Sequence, residues 1–186
     1  THSYKKSFFA DHRCAISTAR AGNVIGGGDF APDRIIPDCV RAIEQHKDII
    51  IRNPSSTRPY QHVLEPLYVY LEIVEKQYSN NKYQGYYNVG PDDCDCINTG
   101  DLVAKFCTAW GNGLKWVDKS DGGPHEAAFL KLDNSKIKQT FGWKPRWHID
   151  ECINMIVEWT GIYLNNKGDI PEEMNKEIVD FFGGIR

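Results

Sequence analysis

Two arginines, Arg52 and Arg58, flank a short stretch that is rich in hydroxyl, amide and proline groups. A guanidinium group presents N–H donors in a fixed plane, so it can hold phosphate oxygens through paired hydrogen bonds. Two such groups could hold the two phosphates of a diphosphate. Pro54 and Pro59 stiffen the stretch and reduce the entropy lost on binding. From these residues alone, a solvated loop with unrelated charges is an equal alternative.

Glycines are concentrated in residues 20–29, directly after small and β-branched residues that suit a buried parallel strand. Open parallel sheets usually meet their ligands at the carboxyl ends of strands, where glycine allows close backbone approach. The spacing is not the Gly-x-Gly-x-x-Gly that seats a dinucleotide pyrophosphate, so a flexible turn is the alternative. Asn23 is the most informative residue, because its uncharged amide can both donate to and accept from a sugar or phosphate.

Two further segments contain groups that could bind a ligand. His125 and Glu126 follow a glycine break and could contact ribose or base edges, or form a surface turn. Cys94, Asp95 and Cys96 could serve a metal or redox role, but an ordinary loop or strand start is favoured, and we predict no metal site. The sequence contains neither a Gly-x-Ser-x-Gly elbow nor a metalloprotease helix motif. We therefore predict a binding role and no catalytic residue.

The composition predicts one globular domain. The chain has 186 residues, of which 41% are hydrophobic and 12% aromatic, enough to form a core. Its 22 basic and 25 acidic side chains give a charge of -3, which provides no field for nucleic acid or an anionic membrane. The six cysteines are scattered, as is typical of reduced thiols. With no apolar run of roughly 20 residues and no leader pattern, we predict a cytoplasmic location.

Strand and helix patterns alternate along the chain and predict an α/β fold with a small, incomplete sheet. Strands are predicted at residues 14–19, 49–51, 85–90 and 114–117, with a loop from 52 to 59. Helices are predicted to begin near residues 33, 66, 98, 134 and 150. Asn98 and Asp101 form a capping-box variant, Gly142 ends the fourth helix, and the last helix is expected to bury Tyr163.

A series of motifs follows an order that resembles one enzyme family. The segments are residues 20–30, 33–38, 50–54, 58–67, 87–91, 124–126, 130–133 and 142–147. Together they resemble the CDP-glucose 4,6-dehydratases of the extended short-chain dehydrogenase/reductase family, which is NAD-dependent. The resemblance extends from residue 1 to about residue 165. Tyr60 stands where the family has tryptophan, and the aromatic plane is kept.

The resemblance implies the C-terminal part of an extended short-chain dehydrogenase, with the last Rossmann strands and a small α/β substrate-binding domain. Residues 1–186 would then be the C-terminal substrate-binding portion of a nucleotide-sugar dehydratase. The NAD-binding Rossmann half, with its glycine-rich loop and Tyr-x-x-x-Lys pair, would lie upstream and is absent from this sequence. The opening segment, which lacks a start methionine and a clear cap, is interpreted as a cut helix. The resemblance also implies a homo-oligomer when the protein is intact.

The implied reaction oxidises the glucose of CDP-glucose at C4, eliminates water across C5 and C6, and returns the hydride to C6 on one NAD. The product, CDP-4-keto-6-deoxyglucose, would serve lipopolysaccharide O-antigen synthesis. The implied residues near the nicotinamide are Val24 and Ile25. The implied substrate-binding residues are Asn23, Arg34, Arg52, Arg58, Asn88, His125 and Glu126. The alternatives are another nucleotide-sugar epimerase or dehydratase, and a stand-alone carbohydrate-binding or interaction module.

Overall fold

The computed structural model describes residues 1–9, 14–120, 128–165 and 168–183. Over these ranges helices and strands alternate, as the sequence predicts. The helices are α1 His2–Phe8, α2 Ile35–Glu44, α3 Leu64–Ser79, α4 Thr99–Trp110, α5 Ser135–Phe141, α6 Ile149–Asn165 and α7 Ile170–Gly183. The strands are β1 Thr18–Ala21, β2 Asn23–Ile25, β3 Ile49–Ile51, β4 Thr57–His62, β5 Tyr86–Val89, β6 Cys96–Asn98 and β7 Trp116–Asp118. None of the described helices combines the length and apolarity needed to span a membrane.

The described strands form three small sheets rather than the single sheet expected from the sequence. β1 pairs in parallel with β5, and β3 pairs in parallel with β7. The central sheet has the order β2-β4-β6, in which β4 is parallel to β2 and antiparallel to β6. The α/β class is confirmed, but pairing between distant strands could not be read from local patterns.

Two clusters of buried side chains form the core. The larger cluster joins β2 and β4 to helices α2, α4 and α6, and the smaller one packs α3 and α5 against β5. Fully or nearly fully buried members of the larger cluster include Ile25, Tyr60, Phe106, Ile153 and Ile156. Corresponding members of the smaller cluster include Val69, Ile73, Tyr87 and Ile137.

The predicted helix ends are confirmed at α4 and α5. The Asn98 side chain accepts from the backbone N–H of Asp101 at 2.7 Å, which is the N-cap bond of a capping box. The second contact differs from that of a capping box, because the Asp101 carboxylate accepts from the side-chain amide of Asn98 at 2.6 Å. α5 begins after Asn134, and Gly142 ends it with a φ of 70°. A side chain other than glycine is strained in that left-handed conformation, which explains why the helix ends there.

The prediction of a loop up to Pro59 is wrong, because β4 includes that residue. Proline lacks a backbone donor and is normally excluded from central strands. β6 pairs with β4 at Thr57 to Pro59, whereas β2 pairs with it only from Tyr60 onward. Pro59 therefore lies where one pairing ends and before the other begins, so its missing N–H costs little.

The sequence located α3 and α6 but not all of their buried faces. α3 buries Val69 and Ile73, whereas Leu67, Leu71 and Val74 are exposed. In α6, Tyr163 is 38% exposed, so the expectation that it is buried is wrong. The first strand also begins at Thr18 rather than at residue 14. α7 was not expected from the sequence at all, although it buries Phe181.

Candidate functional site

Gly22 is the point at which the chain passes from one sheet to another. Its N–H donates to Val89 O at 3.1 Å and so continues the β1–β5 pairing, while the next residue begins β2. A Cβ on Gly22 would lie 2.4 Å from Pro59 O, a distance that real contacts do not reach. Only glycine fits this crossing. It lies at the carboxyl ends of two parallel strands, the place where open α/β sheets bind their ligands.

Asn23 and Arg58 lie on neighbouring strands beside this crossing. Asn23 is exposed and pairs in register with Tyr60, which is two residues beyond Arg58 on β4. Strand spacing and rise put the two Cα atoms roughly 8 Å apart, and strand alternation turns both side chains toward one face. The half-buried Arg58 donates through Nη1 to Thr57 O at 3.0 Å. The two residues are therefore within reach of a common ligand.

Arg34 and Arg52 meet on the loop between β2 and α2. Arg34 pairs with Asp29 at 3.0 Å, and Arg52 pairs with Asp33 at 2.7 Å. Both guanidinium groups are about two-thirds exposed, so these ion pairs add little stability. The Asp29 carboxylate also accepts from the backbone N–H of Ala31 at 3.0 Å. Its pKa is lowered: burial opposes that change, while this hydrogen bond and the nearby Arg34 favour it. Two arginines far apart in sequence are thus held at one loop.

The glycines after β2 approach a side chain of α6, which explains one of them without a ligand. A Cβ on Gly27 would lie 2.2 Å from Cγ of Trp159, so the indole covers the glycine backbone. Trp159 stacks on Tyr163 with ring centroids 5.2 Å apart, and Phe30 lies 6.2 Å from the same indole. The sequence predicted close approach of this backbone to a ligand, whereas at Gly27 the group that approaches is the aromatic side chain of Trp159.

Asn88 lies on β5 and contacts a different segment of the chain. Its amide donates to Asp133 O at 3.0 Å, and its buried Oδ1 has no hydrogen-bond partner among the described residues. The start of the segment that leads to Asp133 is held beside Arg58, because Thr57 N donates to Ala128 O at 2.9 Å and Thr57 O accepts from Leu130 N at 3.1 Å. His125 and Glu126 lie outside the described residues.

Val24 and Ile25 differ in what they could offer a cofactor. The Val24 side chain is 37% exposed, whereas Ile25 is 6% exposed and belongs to the larger core cluster. The carbonyl of Ile25 accepts from the N–H of Val63 at 2.9 Å. Val24 can thus present an apolar surface to a ligand, while the side chain of Ile25 packs in the core and holds the strand in place.

Gln61 is a polar residue at the crossing that does not belong to the predicted set of binding residues. It is buried, and its amide donates to Val89 O at 2.8 Å, which ties β4 to the carboxyl end of β5. Its Oε1 is buried and has no hydrogen-bond partner among the described residues. Burying an unpaired amide oxygen is costly, so the position carries a polar group for more than packing. Its place between Tyr60 and His62 in β4 carries no local signal that its amide will be buried.

Three ionisable groups are buried behind β4, and they pack the C-terminal helices against it. His62 is fully buried, and its Nε2 lies 4.0 Å from Oε2 of Glu177 on α7. Burial lowers the pKa of His62 to about 4 and raises that of Glu177 to about 7, so the imidazole is neutral near pH 7 and the carboxyl keeps its proton to a higher pH than a free glutamate. Glu65 accepts from the N–H groups of Arg146 and Trp147 at 2.7 and 2.9 Å. These contacts hold the backbone and the C-terminal helices in place.

The chain matches a nucleotide-sugar dehydratase over nearly its whole length. It is 40% identical over 184 residues to CDP-glucose 4,6-dehydratase of Salmonella typhimurium, covering 96% of this chain and 51% of that protein. It is 20% identical over 157 residues to mouse dTDP-D-glucose 4,6-dehydratase, covering 84% of this chain and 44% of that protein. The resemblance inferred from the sequence is confirmed, and the chain spans about half the length of these relatives. No protein-family model matches the chain.

Solved structures with related folds are epimerases and dehydratases. UDP-glucuronic acid 4-epimerase from Bacillus cereus, in complex with UDP-glucuronic acid and NAD, matches with a TM-score of 0.71 at 17% identity, over 87% of this chain and 49% of its own. dTDP-glucose 4,6-dehydratase from Bacillus anthracis, in complex with NAD, matches with a TM-score of 0.65 at 18% identity, over 89% of this chain and 48% of its own. The chain has the fold of the C-terminal part of extended short-chain dehydrogenases, as the sequence predicted.

Proposed function

From the relationship of this chain to CDP-glucose 4,6-dehydratase, we propose that it supplies the nucleotide-sugar-binding half of an NAD-dependent 4,6-dehydratase. The substrate is CDP-glucose and the product is CDP-4-keto-6-deoxyglucose. The observation that supports this most strongly is 40% identity over 96% of the chain to an enzyme of that name. The position of Asn23 and Arg58 on adjoining strands at a sheet crossing supports it independently.

In this proposal Asn23 and Arg58 hold the diphosphate of the substrate. An amide can donate to phosphate oxygens without adding charge, and a guanidinium adds charge-assisted hydrogen bonds worth about 1.5–3 kcal/mol. Arg34 and Arg52 are already held at one loop by carboxylates, from which a phosphate or base could take over their donors. Arg34 would lie near the base. Asn88, His125 and Glu126 would lie around the rest of the nucleotide.

The cofactor of the proposed reaction is NAD, and this chain fits only a minor part of its site. Val24 offers an exposed apolar side chain for contact with the nicotinamide, and Ile25 stiffens the strand beneath it. The sequence contains no Gly-x-Gly-x-x-Gly motif for the pyrophosphate. Bound NAD would supply reversible hydride transfer at C4 and C6 of the glucose, and the reaction, which loses water across C5 and C6, would involve no net oxidation.

The chain itself would bind and orient the substrate while the remainder of the intact enzyme provides the redox and proton-transfer groups. We use "intact enzyme" for a protein that contains both parts. β1 pairs only with β5 among the described strands, so its other edge is available for a further strand. The exposed row Leu67, Leu71 and Val74 on α3 supplies apolar surface for the same contact. We further propose that the intact enzyme is a cytoplasmic homo-oligomer and that it serves O-antigen synthesis.

The test is product formation by the intact enzyme with NAD and a panel of nucleotide sugars: CDP-glucose, dTDP-glucose and UDP-glucose. We expect a 4-keto-6-deoxy product from CDP-glucose in preference to the others. Product from another nucleotide sugar and none from CDP-glucose would show that the proposed substrate is wrong. An epimerised sugar that retains its C6 hydroxyl would show that the reaction is an epimerisation rather than a dehydration.

The purified 186-residue chain serves as the second arm of this experiment. It is expected to give no product from CDP-glucose and NAD, because a substrate clamp cannot supply hydride transfer without the cofactor site. Measurable turnover by the chain alone would show that it contains catalytic groups that we have not identified.

A further inference from the structure

A thiol, a carboxylate and an imidazole meet where the turn Asp93–Asp95 contacts the start of α6. Cys94 Sγ, an Asp95 carboxylate oxygen and a His148 ring nitrogen all lie within 4.8 Å of one another. Asp95 Oδ2 is 2.8 Å from His148 Nδ1 and 3.6 Å from Cys94 Sγ. His148 lies 53 residues after Asp95 in the sequence, so the fold alone brings it to Cys94 and Asp95.

The groups are held in place by contacts that leave their ligand atoms facing one another. Asp95 is 4% exposed, and its second oxygen accepts from the N–H of Ile149 at 3.0 Å. The N–H of Asp95 donates to Asp92 O at 3.0 Å, which closes the turn. The N–H of His148 donates to the Glu151 carboxylate at 2.6 Å. Such outer contacts are what fix the direction of ligands at metal sites in proteins.

The donor set selects one class of metal ion. One thiolate, one imidazole and one carboxylate match the ligands of zinc, with water as the fourth ligand, whereas magnesium and calcium take oxygen ligands alone. In a tetrahedral zinc site, neighbouring S and N or O ligand atoms lie about 3.5 Å apart. The separation of Cys94 Sγ from Asp95 Oδ2 already has this value. The 2.8 Å separation of His148 Nδ1 from Asp95 Oδ2 would have to grow by about half an ångström, and all three ligand atoms already lie within 4.8 Å of one another.

The surrounding charges favour a cation over an anion. Five carboxylates lie on or next to the turn and in the first residues of α6, and three lysines balance part of their charge. Lys131 lies 3.2 Å from Asp93, Lys105 lies 2.6 Å from Asp150, and Lys138 contacts Asp92. The carboxylates are those of Asp92, Asp93, Asp95, Asp150 and Glu151. The N-terminus of α6 opposes a cation, but the Asp95 carboxylate accepts one of its N–H groups and screens the helix end.

We propose that Cys94, Asp95 and His148 form a binding site for a divalent transition-metal ion of the zinc class, with water completing the coordination. Cys96 does not take part, because its Sγ contacts Asp92 O at 3.7 Å. The sequence suggested Cys94 and Cys96 as the pair and led us to predict no metal site, since a single residue separates them. His148, which completes the set, gave no signal because it is distant in sequence. The proposal is independent of the proposed function.

The test is titration of the purified chain with Co²⁺ under a phosphine reductant, which keeps thiols reduced without binding the metal strongly. We expect one Co²⁺ per chain, a near-ultraviolet thiolate-to-cobalt charge-transfer band, and displacement of Co²⁺ by Zn²⁺. Cys94→Ser should remove the charge-transfer band and weaken binding about tenfold or more, and His148→Gln should weaken binding to a similar extent. Cys94 and His148 are exposed, so neither change removes core packing.

Cys96→Ser is the matched control, since it removes a thiol two residues away that lies outside the site. It should retain the charge-transfer band and bind Co²⁺ within about twofold of the unmodified chain. The proposal is overturned if the unmodified chain shows no thiolate band, if Cys94→Ser keeps that band, or if Cys96→Ser loses it as completely as Cys94→Ser. Circular dichroism of each variant separates loss of metal binding from loss of fold.

Discussion

Asn23 of β2 lies opposite Tyr60 of β4 in the parallel pairing of these strands, one diagonal step from Arg58. The Tyr60 ring is buried, and its hydroxyl hydrogen-bonds to Thr99 Oγ1 at 2.9 Å. Thr99 in turn hydrogen-bonds to Ser56 at 3.0 Å. This network gives a reason for tyrosine at this position, where the resemblance implies tryptophan, because the hydroxyl supplies a hydrogen bond. It also anchors the strand that positions Arg58, so the candidate diphosphate site rests on a fixed support.

Gly27 and Trp159 give the first prediction, which concerns stability. Gly27→Ala should lower the free energy of unfolding by about 1–3 kcal/mol, because the new Cβ would lie 2.2 Å from the indole and force Trp159 out of its place. The measurement is urea denaturation monitored by tryptophan fluorescence. Gly161→Ala in α6 is the control: a Cβ there meets nothing within 4 Å, so it should stabilise the helix by about 0.5–1 kcal/mol. Equal effects of the two changes would refute the close contact.

Glu177 gives a prediction about pH. It faces His62 of β4, Glu158 of α6, and Glu173 and Lys176 of its own helix. Burial first, and then the two glutamates, raise its pKa from 4.5 to about 7 against the opposing effect of Lys176. The folded chain therefore retains a proton that the unfolded chain releases, and this group makes stability fall as pH rises from about 4.5 to about 7.

Glu177→Gln removes this titration, so its stability advantage over the unmodified chain should grow across that pH range. The expected gain is on the order of 1–3 kcal/mol at pH 7 and above. His62, with its pKa lowered to about 4, has the opposite slope below 6.5, but it is present in both proteins and cancels in the difference. Glu172→Gln, an exposed change on the same helix, should follow the unmodified curve. A pH-independent difference for Glu177→Gln would show that the carboxyl is not protonated in the fold.

Glu65 gives a prediction about the segment before α6. Glu65→Ala should cost about 2–4 kcal/mol, because it leaves the N–H groups of Arg146 and Trp147 without their acceptor. Glu65→Gln keeps a carbonyl oxygen at that position and should cost clearly less. Chemical denaturation of both variants at one pH gives the comparison. If the two variants lose the same stability, the carboxylate contributes through its charge rather than by accepting these hydrogen bonds.

The sequence predicted the parts of the fold that depend on local chemistry. The N-cap side chain of Asn98 and the left-handed Gly142 mark helix ends wherever they occur, and the three isoleucines of β3 favour a strand in any context. β4 was missed because Pro59 argues locally against a strand. Its acceptability depends on where the pairing with β2 begins, which is a relationship between strands.

The candidate site was predictable to a similar degree. Residue chemistry and family resemblance selected Asn23 and Arg58, and the structure places them on adjoining strands. The role of Gly27 could not be foreseen, because Trp159 lies 132 residues further along the chain. The buried pair His62 and Glu177 was equally hidden, since neither residue carries a local signal that it will lose contact with water.

The central claim is that Asn23 and Arg58 hold the nucleotide sugar, and the dissociation constants of the intact enzyme for CDP-glucose and NAD test it most directly. Asn23→Ala and Arg58→Ala should each weaken CDP-glucose binding, Arg58→Ala by about 1.5–3 kcal/mol, and leave NAD binding unchanged. The dissociation constant of Arg58→Lys for CDP-glucose should lie between those of the unmodified enzyme and Arg58→Ala, since lysine keeps the positive charge but lacks the planar set of N–H donors. An unchanged dissociation constant for CDP-glucose in both alanine variants would contradict the account.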